Sequence, residues 1–149
     1  MLERGRRFQR DMDGRRSVRM FAADPVPREL IELAIMTGST APSGAHQQPW
    51  TFVAVSDPEM KRQIRIAAEE EARQSYEGGR MPAEWLAASR PSAPTGTSRF
   101  SRPLPGSWCS SSKSTVRSPD GSSRKHYYAR ESVGIACGLF VAAVHQMGW

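Results

Sequence analysis

A chain of 149 residues has the length of one domain, enough to bury a core and near the lower end for an enzyme that must also house a cofactor. No apolar run approaches the roughly 20 residues of a membrane span, and the opening MLERGRRFQRDMDGRR lacks a signal peptide's apolar stretch, so a cytoplasmic protein with no membrane partner is the expectation. The net charge of +6 sits almost wholly in residues 91–125, where six Lys or Arg face one acid, Asp120, among eleven serines and no interleaved aromatics, a poor pattern for nucleic acid.

In chain order, Asp11 to Phe21 leads from a helix end into an extended segment that carries Arg15-Arg16-Ser17-Val18-Arg19. Three guanidinium forks and a hydroxyl within five residues suit a phosphate group, although an arginine cluster alone is usually a solvated face. Pro27 fits the first position of a helix whose apolar residues Leu30, Ile31, Ala34 and Ile35 recur at helical spacing, with Gly38 as its stop. Next comes APSGAHQQPW, Ala41 to Trp50, whose small residues allow close approach of backbone to a flat ring and also suit a plain turn. Thr51 to Val55 reads as a strand rich in β-formers. Asp57-Pro58 then reads as cap and first residue of a helix with Met60, Ile64, Ala67 and Ala68 on its inner face, running toward Tyr76 and breaking at Gly78-Gly79. The last element, Tyr128 to Gln146, is apolar on every side from Val133 to Val144 and therefore needs cover all round.

The arginine motif, the small-residue turn, the intervening DPVPRELIELAI, and later His126-Tyr127-Tyr128 with ESVGIACGLFVAAVHQMG together resemble the FMN-dependent nitroreductase superfamily, most closely its iodotyrosine deiodinase-like branch. The resemblance covers residues 1 to about 88 and 126 to 148. It implies an α+β, three-layer fold with a mixed sheet flanked by helices, and a homodimer whose flavin pocket draws on both subunits.

Between those stretches the chain reads PSAPTGTSRFSRPLPGSWCSSSKSTVRSPDGSSRK, an aberrant low-complexity segment too rich in Ser, Pro and Arg to supply a core, and its expected state is disorder. Moving permissible codons by one nucleotide restores a Trp-His-Lys loop and an apolar strand, Trp-Leu-Val-Val-Leu-Phe, so a shifted reading frame over 91–125 is the favoured explanation. On that reading the fold is incomplete, lacking one core strand. The family's C-terminal strand and arm are likewise expected to be missing after Trp149. The domain expectation is one partial nitroreductase-like domain over 1–149.

By resemblance, Arg15, Arg16 and Ser17 hold the FMN phosphate, and Arg19 lies near the pyrimidine end of the flavin, where a cation favours the anionic reduced form. Pro42 and Ser43 contact the flavin, and Gly44 and Ala45 line the face on which a small aromatic substrate stacks. Tyr76 matches a substrate-gripping tyrosine of the branch; Ala72 stands where a glutamate is expected, with Glu71 adjacent, and the branch's lysine falls in the shifted segment. Halotyrosine recognition therefore has incomplete support, and the implied activity is reduction of nitroaromatic, quinone or halogenated phenol-type substrates with NADH or NADPH as electron donor. No side chain is assigned a catalytic role, because the chemistry is borne by the flavin. Cys109 and Cys137 are too few for a disulfide framework, and His46, His126 and His145 show no metal-ligand spacing. Two alternatives stand beside this reading: a catalytically dead, frame-shifted and truncated fragment of such an enzyme, and a basic interaction module built on 91–125.

Overall fold

The computed structural model describes residues 1–18, 22, 24–77, 79–80, 82, 84, 87, 107–112, 115–117 and 123–148. Among them are the helices α1 (Leu2–Asp13), α2 (Arg28–Ser39), α3 (Pro58–Glu77) and α4 (Ala129–Gln146), and the strands β1 (Trp50–Val55), β2 (Ser107–Ser112), β3 (Thr115–Arg117) and β4 (Ser123–Lys125). β1 pairs with β2; β3 runs antiparallel to β4, with Thr115 opposite Lys125 and Arg117 opposite Ser123. The expected α+β character holds. β2, β3 and β4 fall inside the segment whose composition predicts disorder: backbone pairing needs no apolar side chains, so composition alone misses it. The rest of that segment lies outside the described residues.

The chain divides into two compact units. The first comprises Met1–Ser17, Val26–Ala54 and Trp108–Trp149. Its core is the contact of α2 with α4, where Ala34, Ala136 and Phe140 are buried. Gly38 makes that contact possible. A Cβ placed there would stand 3.1 Å from the Ala136 carbonyl oxygen, 3.3 Å from Phe140 Cβ and 3.0 Å from Phe52 Cζ on β1. Phe52 in turn stacks on Phe140, with ring centroids 6.0 Å apart and planes inclined by 19°, so strand and both helices meet at one aromatic pair. Gly38 is thus a buried position within α2 rather than its stop, and the helix ends one residue later, where Thr40 N–H donates to the Thr37 carbonyl. Pro27 is the N-cap, in extended conformation, instead of the first helical residue.

α4 buries Ala129, Ser132, Ala136 and Phe140, a stripe at three- and four-residue spacing, and leaves Ile135 and Val141 exposed at 46% and 38%. Among the described residues, nothing lies within 4 Å of a Cβ placed at Gly134 or Gly138 on the same helix. Cys137 is a free, half-buried thiol.

The second unit comprises Val18–Pro25 and Val55–Ser107. Its main described element is α3, and the Asp57-Pro58 start reads correctly from sequence: Asp57 Oδ1 accepts the N–H groups of Glu59 at 2.7 Å and Met60 at 3.1 Å. Ion pairs one turn apart line the helix, Glu59–Arg62 and Glu70–Arg73 among them. The expected inner face is a correction. Met60, Ile64, Ala67 and Ala68 are exposed, whereas Lys61, Arg65, Glu69, Ala72 and Tyr76 are half-buried. Both sets recur at helical spacing, but long charged stems can cover a helix face as well as aliphatic side chains do. None of the described helices is long and apolar enough to cross a membrane.

Candidate functional site

The first unit holds Arg15-Arg16-Ser17 of the arginine segment and the whole of the Ala41–Trp50 turn; Val18 onward belongs to the second unit. α1 is a charged helix with no buried residue, and the chain leaves it through Gly14 into Arg15, Arg16 and Ser17, all exposed. Gly14 N–H donates to the Arg10 carbonyl at 3.2 Å and Arg15 N–H to the Met12 carbonyl at 3.1 Å, which closes the last turn. Arg16 folds its guanidinium back over the helix end: Nη1 donates to the carbonyls of Asp13 and, at 2.8 Å, Arg15. A cation at a helix C-terminus complements the partial negative charge of the unpaired carbonyls. The Arg15 side chain is exposed directly beside it. Two guanidiniums and a hydroxyl on one short exposed stretch have the donor chemistry that a phosphate monoester requires. Arg19 lies outside the described residues.

The second segment is a strained turn. Gly44–His46 form a single 3₁₀ turn in which His46 N–H donates to the Ser43 carbonyl at 2.9 Å and Gln47 N–H to the Gly44 carbonyl at 3.1 Å. Ala45, His46 and Gln48 all have positive φ, at 50°, 52° and 45°. Left-handed conformations in residues with a Cβ cost of order 1–3 kcal/mol each and survive where the surroundings enforce them. Here the enforcement is visible. Ser43 Oγ accepts the Gln48 N–H at 2.9 Å, which fixes the serine rotamer and leaves its hydroxyl hydrogen to offer a ligand. His126 Nδ1 lies 2.6 Å from Gln47 Oε1, a contact that makes Nδ1 the protonated nitrogen, and buried Nε2 has no hydrogen-bond partner among the described residues.

The same far segment explains Gly44. A Cβ there would meet the Tyr127 carbonyl oxygen at 3.2 Å and Tyr128 Cδ2 at 3.7 Å, so the missing side chain admits residues 127–128. Tyr128 itself caps α4 with φ 56°. Among the described residues every non-glycine with positive φ lies in this turn or at the cap packed on it. Sequence reasoning assigned no role to His126, Gln47, Tyr127 or Tyr128; the HYY motif carried a resemblance, but nothing in its residue types announces a partner eighty positions away.

Of the other expected site residues, Pro42 and Ala45 are exposed and Ser43 and Gly44 half-buried. Glu71 and Tyr76 belong to the second unit, on α3. Glu71 Oε1 accepts a hydrogen bond from Arg80 Nη1 at 2.5 Å, and Tyr76 is half-buried.

Comparison with known proteins gives a consistent result. The nitroreductase family pattern matches residues 12–149. An iodotyrosine deiodinase of Haliscomenobacter hydrossis is 49% identical over 148 residues, covering 99% of this chain and 66% of the relative. The Danio rerio iodotyrosine deiodinase is 38% identical, covering 99% and 50%. The chain therefore spans about half to two thirds of the length of these relatives. Among solved structures, an oxidized iodotyrosine deiodinase bound to FMN and 3-iodo-L-tyrosine aligns with a TM-score of 0.79 at 26% identity, over 95% of this chain and 70% of that one. A BluB-like flavoprotein from Clostridium difficile shares the fold at a TM-score of 0.66 and 19% identity, over 94% and 70%.

Proposed function

The chain belongs to the nitroreductase family, and from that premise we propose that it is an FMN-dependent oxidoreductase acting on halogenated phenol-type aromatics. Nitroaromatics and quinones form the wider class of acceptors. The observation that carries the proposal is the presence, in one compact unit, of the exposed Arg15-Arg16-Ser17 stretch and the strained Pro42–Gln48 turn.

Arg15, Arg16 and Ser17 would hold the FMN phosphate through charge-assisted hydrogen bonds. By resemblance alone, Arg19 would supply positive charge toward the flavin. Pro42 and Ser43 contact the cofactor, with the Ser43 hydroxyl as donor, and Gly44 and Ala45 border the face where the substrate stacks. Glu71 and Tyr76 are the substrate-side residues of α3, an assignment that rests on resemblance. When bound, FMN supplies the two electrons of the reduction, received from NADH or NADPH. A dehalogenation would need two such electrons and one proton to exchange carbon–halogen for carbon–hydrogen and release halide. The protein's part is to bind, to orient the ring pair and to set the local charge.

The proposed assembly is a homodimer in the cytoplasm. Ile135, Val141 and the open positions at Gly134 and Gly138 support it, because an apolar helix face left in water is suited to burial against a second copy.

One preparation tests the reading. The purified chain is expected to be yellow, with flavin near one per chain, to sediment at twice the chain mass, and to release iodide from 3-iodotyrosine or halide from a halophenol under a chemical reductant. Colourless protein that neither takes up FMN nor releases halide would overturn it in favour of a catalytically silent fragment.

A further inference from the structure

We propose that His145, in the last turn of α4, is a positioning residue for the Arg15-Arg16-Ser17 stretch, an inference that rests on the reading of that stretch as the phosphate cradle. α1 has no fully buried side chain, and only Asp11 and Met12 of its last turn are half-buried, so its place is set at its C-terminal end. A helix leaves its last four carbonyls without intrahelical donors, and those of α1 can be followed one by one. Arg10 O receives Gly14 N–H, Met12 O receives Arg15 N–H, and Asp13 O receives the Arg16 guanidinium. Asp11 O is the carbonyl that Arg15 N–H would have reached had the helix continued. Because that N–H turns to Met12 instead, Asp11 O is left over, and the donor that takes it comes from far along the chain: His145 Nε2, at 2.6 Å in a part-buried setting.

The consequence is geometric. Asp11 stands four residues before Arg15, so a bond to its carbonyl fixes the point from which the cradle departs and the direction in which it leaves. The bond requires the hydrogen on Nε2, since a carbonyl can only accept. α4, itself anchored on α2 through Ala136 and Phe140, thereby holds the arginine stretch in register with the rest of the first unit. Nothing in this role touches the ligand. A preorganised cradle binds phosphate without the cost of ordering it, and loss of the bond should appear as lost discrimination for phosphate.

The test compares FMN with riboflavin, which lacks the phosphate, by flavin fluorescence quenching on the full chain. His145→Leu is expected to weaken FMN binding about tenfold, the scale of one lost hydrogen bond with its partner left unpaired, while riboflavin binding stays within about twofold. His145→Gln, which keeps a donor, should recover much of the preference. An unchanged FMN-over-riboflavin ratio in His145→Leu, alongside a collapsed ratio in Arg15→Ala, would overturn the positioning role and leave the cradle intact; an unchanged ratio in Arg15→Ala would overturn the cradle and this inference with it. Should His145→Leu fail to fold, ¹⁵N NMR of the unmutated protein decides: an Nε2–H signal for His145 supports the bond, and the Nδ1–H tautomer overturns it.

Discussion

At Gly38 two physical preferences oppose each other. Alanine is the better helix former by about 1 kcal/mol, yet its methyl would press on the Ala136 carbonyl and the Phe52 ring, and a helix backbone cannot step aside as a side-chain tip can. Overpacking of this kind costs about 1–3 kcal/mol. Gly38→Ala is therefore expected to lower the urea midpoint of unfolding, and a midpoint raised by the helix-propensity gain would contradict the packing account. The position also marks what a sequence conceals. A glycine near the end of an apolar helical pattern reads as a stop, and the residues that make it a contact instead, Ala136 and Phe140, lie far away along the chain. Ser43 and Gly44 differ in the same way: the turn they make is legible, whereas the Gln48 and Tyr127 atoms that fix it are not.

At the scale of elements, local chemistry was readable, and so was the packed face of α2, where Leu30, Ile31, Ala34 and Ile35 are buried or half-buried; the face of α3 was not. Asp57-Pro58 announces α3 because a capping carboxylate and the N–H groups it accepts are neighbours in sequence. The side of α3 that packs depends on tertiary surroundings, and Met60 and Ile64 mislead. The first turn carries a testable electrostatic signature. Hydrogen bonds from the Arg62 guanidinium, then from Gln63, hold the Glu59 carboxyl down from 4.5 to about 2. Glu70 is lowered in the same sense by Gln74 and Arg73. A depressed folded-state value means that the carboxylate's contribution is complete above 4.5 and is lost as pH falls through about 2. These groups are solvent-exposed, so the effect is a local loosening of α3. Between pH 5 and 2, the protection of amides in its first turns, relative to their intrinsic exchange rates, should fall, and Glu59→Gln should flatten that fall. An identical pH profile in the variant would contradict the assignment.

For the whole molecule, family and α+β class were legible because they rest on ordered local motifs, Arg15-Arg16-Ser17 followed by Pro42-Ser43-Gly44 and then the HYY-led helix. The division into two units was not, since the first assembles three separate stretches of chain. Nor did composition foresee β2 and its pairing with β1, because serine-rich sequence carries no period from which to read a strand. The proposed function rests on one interaction, binding of the FMN phosphate by the arginine stretch. Titrating the full chain with FMN and with riboflavin at fixed ionic strength tests it most directly. A preference for FMN of about tenfold or more, reflecting charge-assisted bonds of about 1.5–3 kcal/mol, should be present in the unmutated chain and vanish when Arg15 and Arg16 are both changed to Ala. Equal binding of the two flavins by the unmutated chain would contradict it.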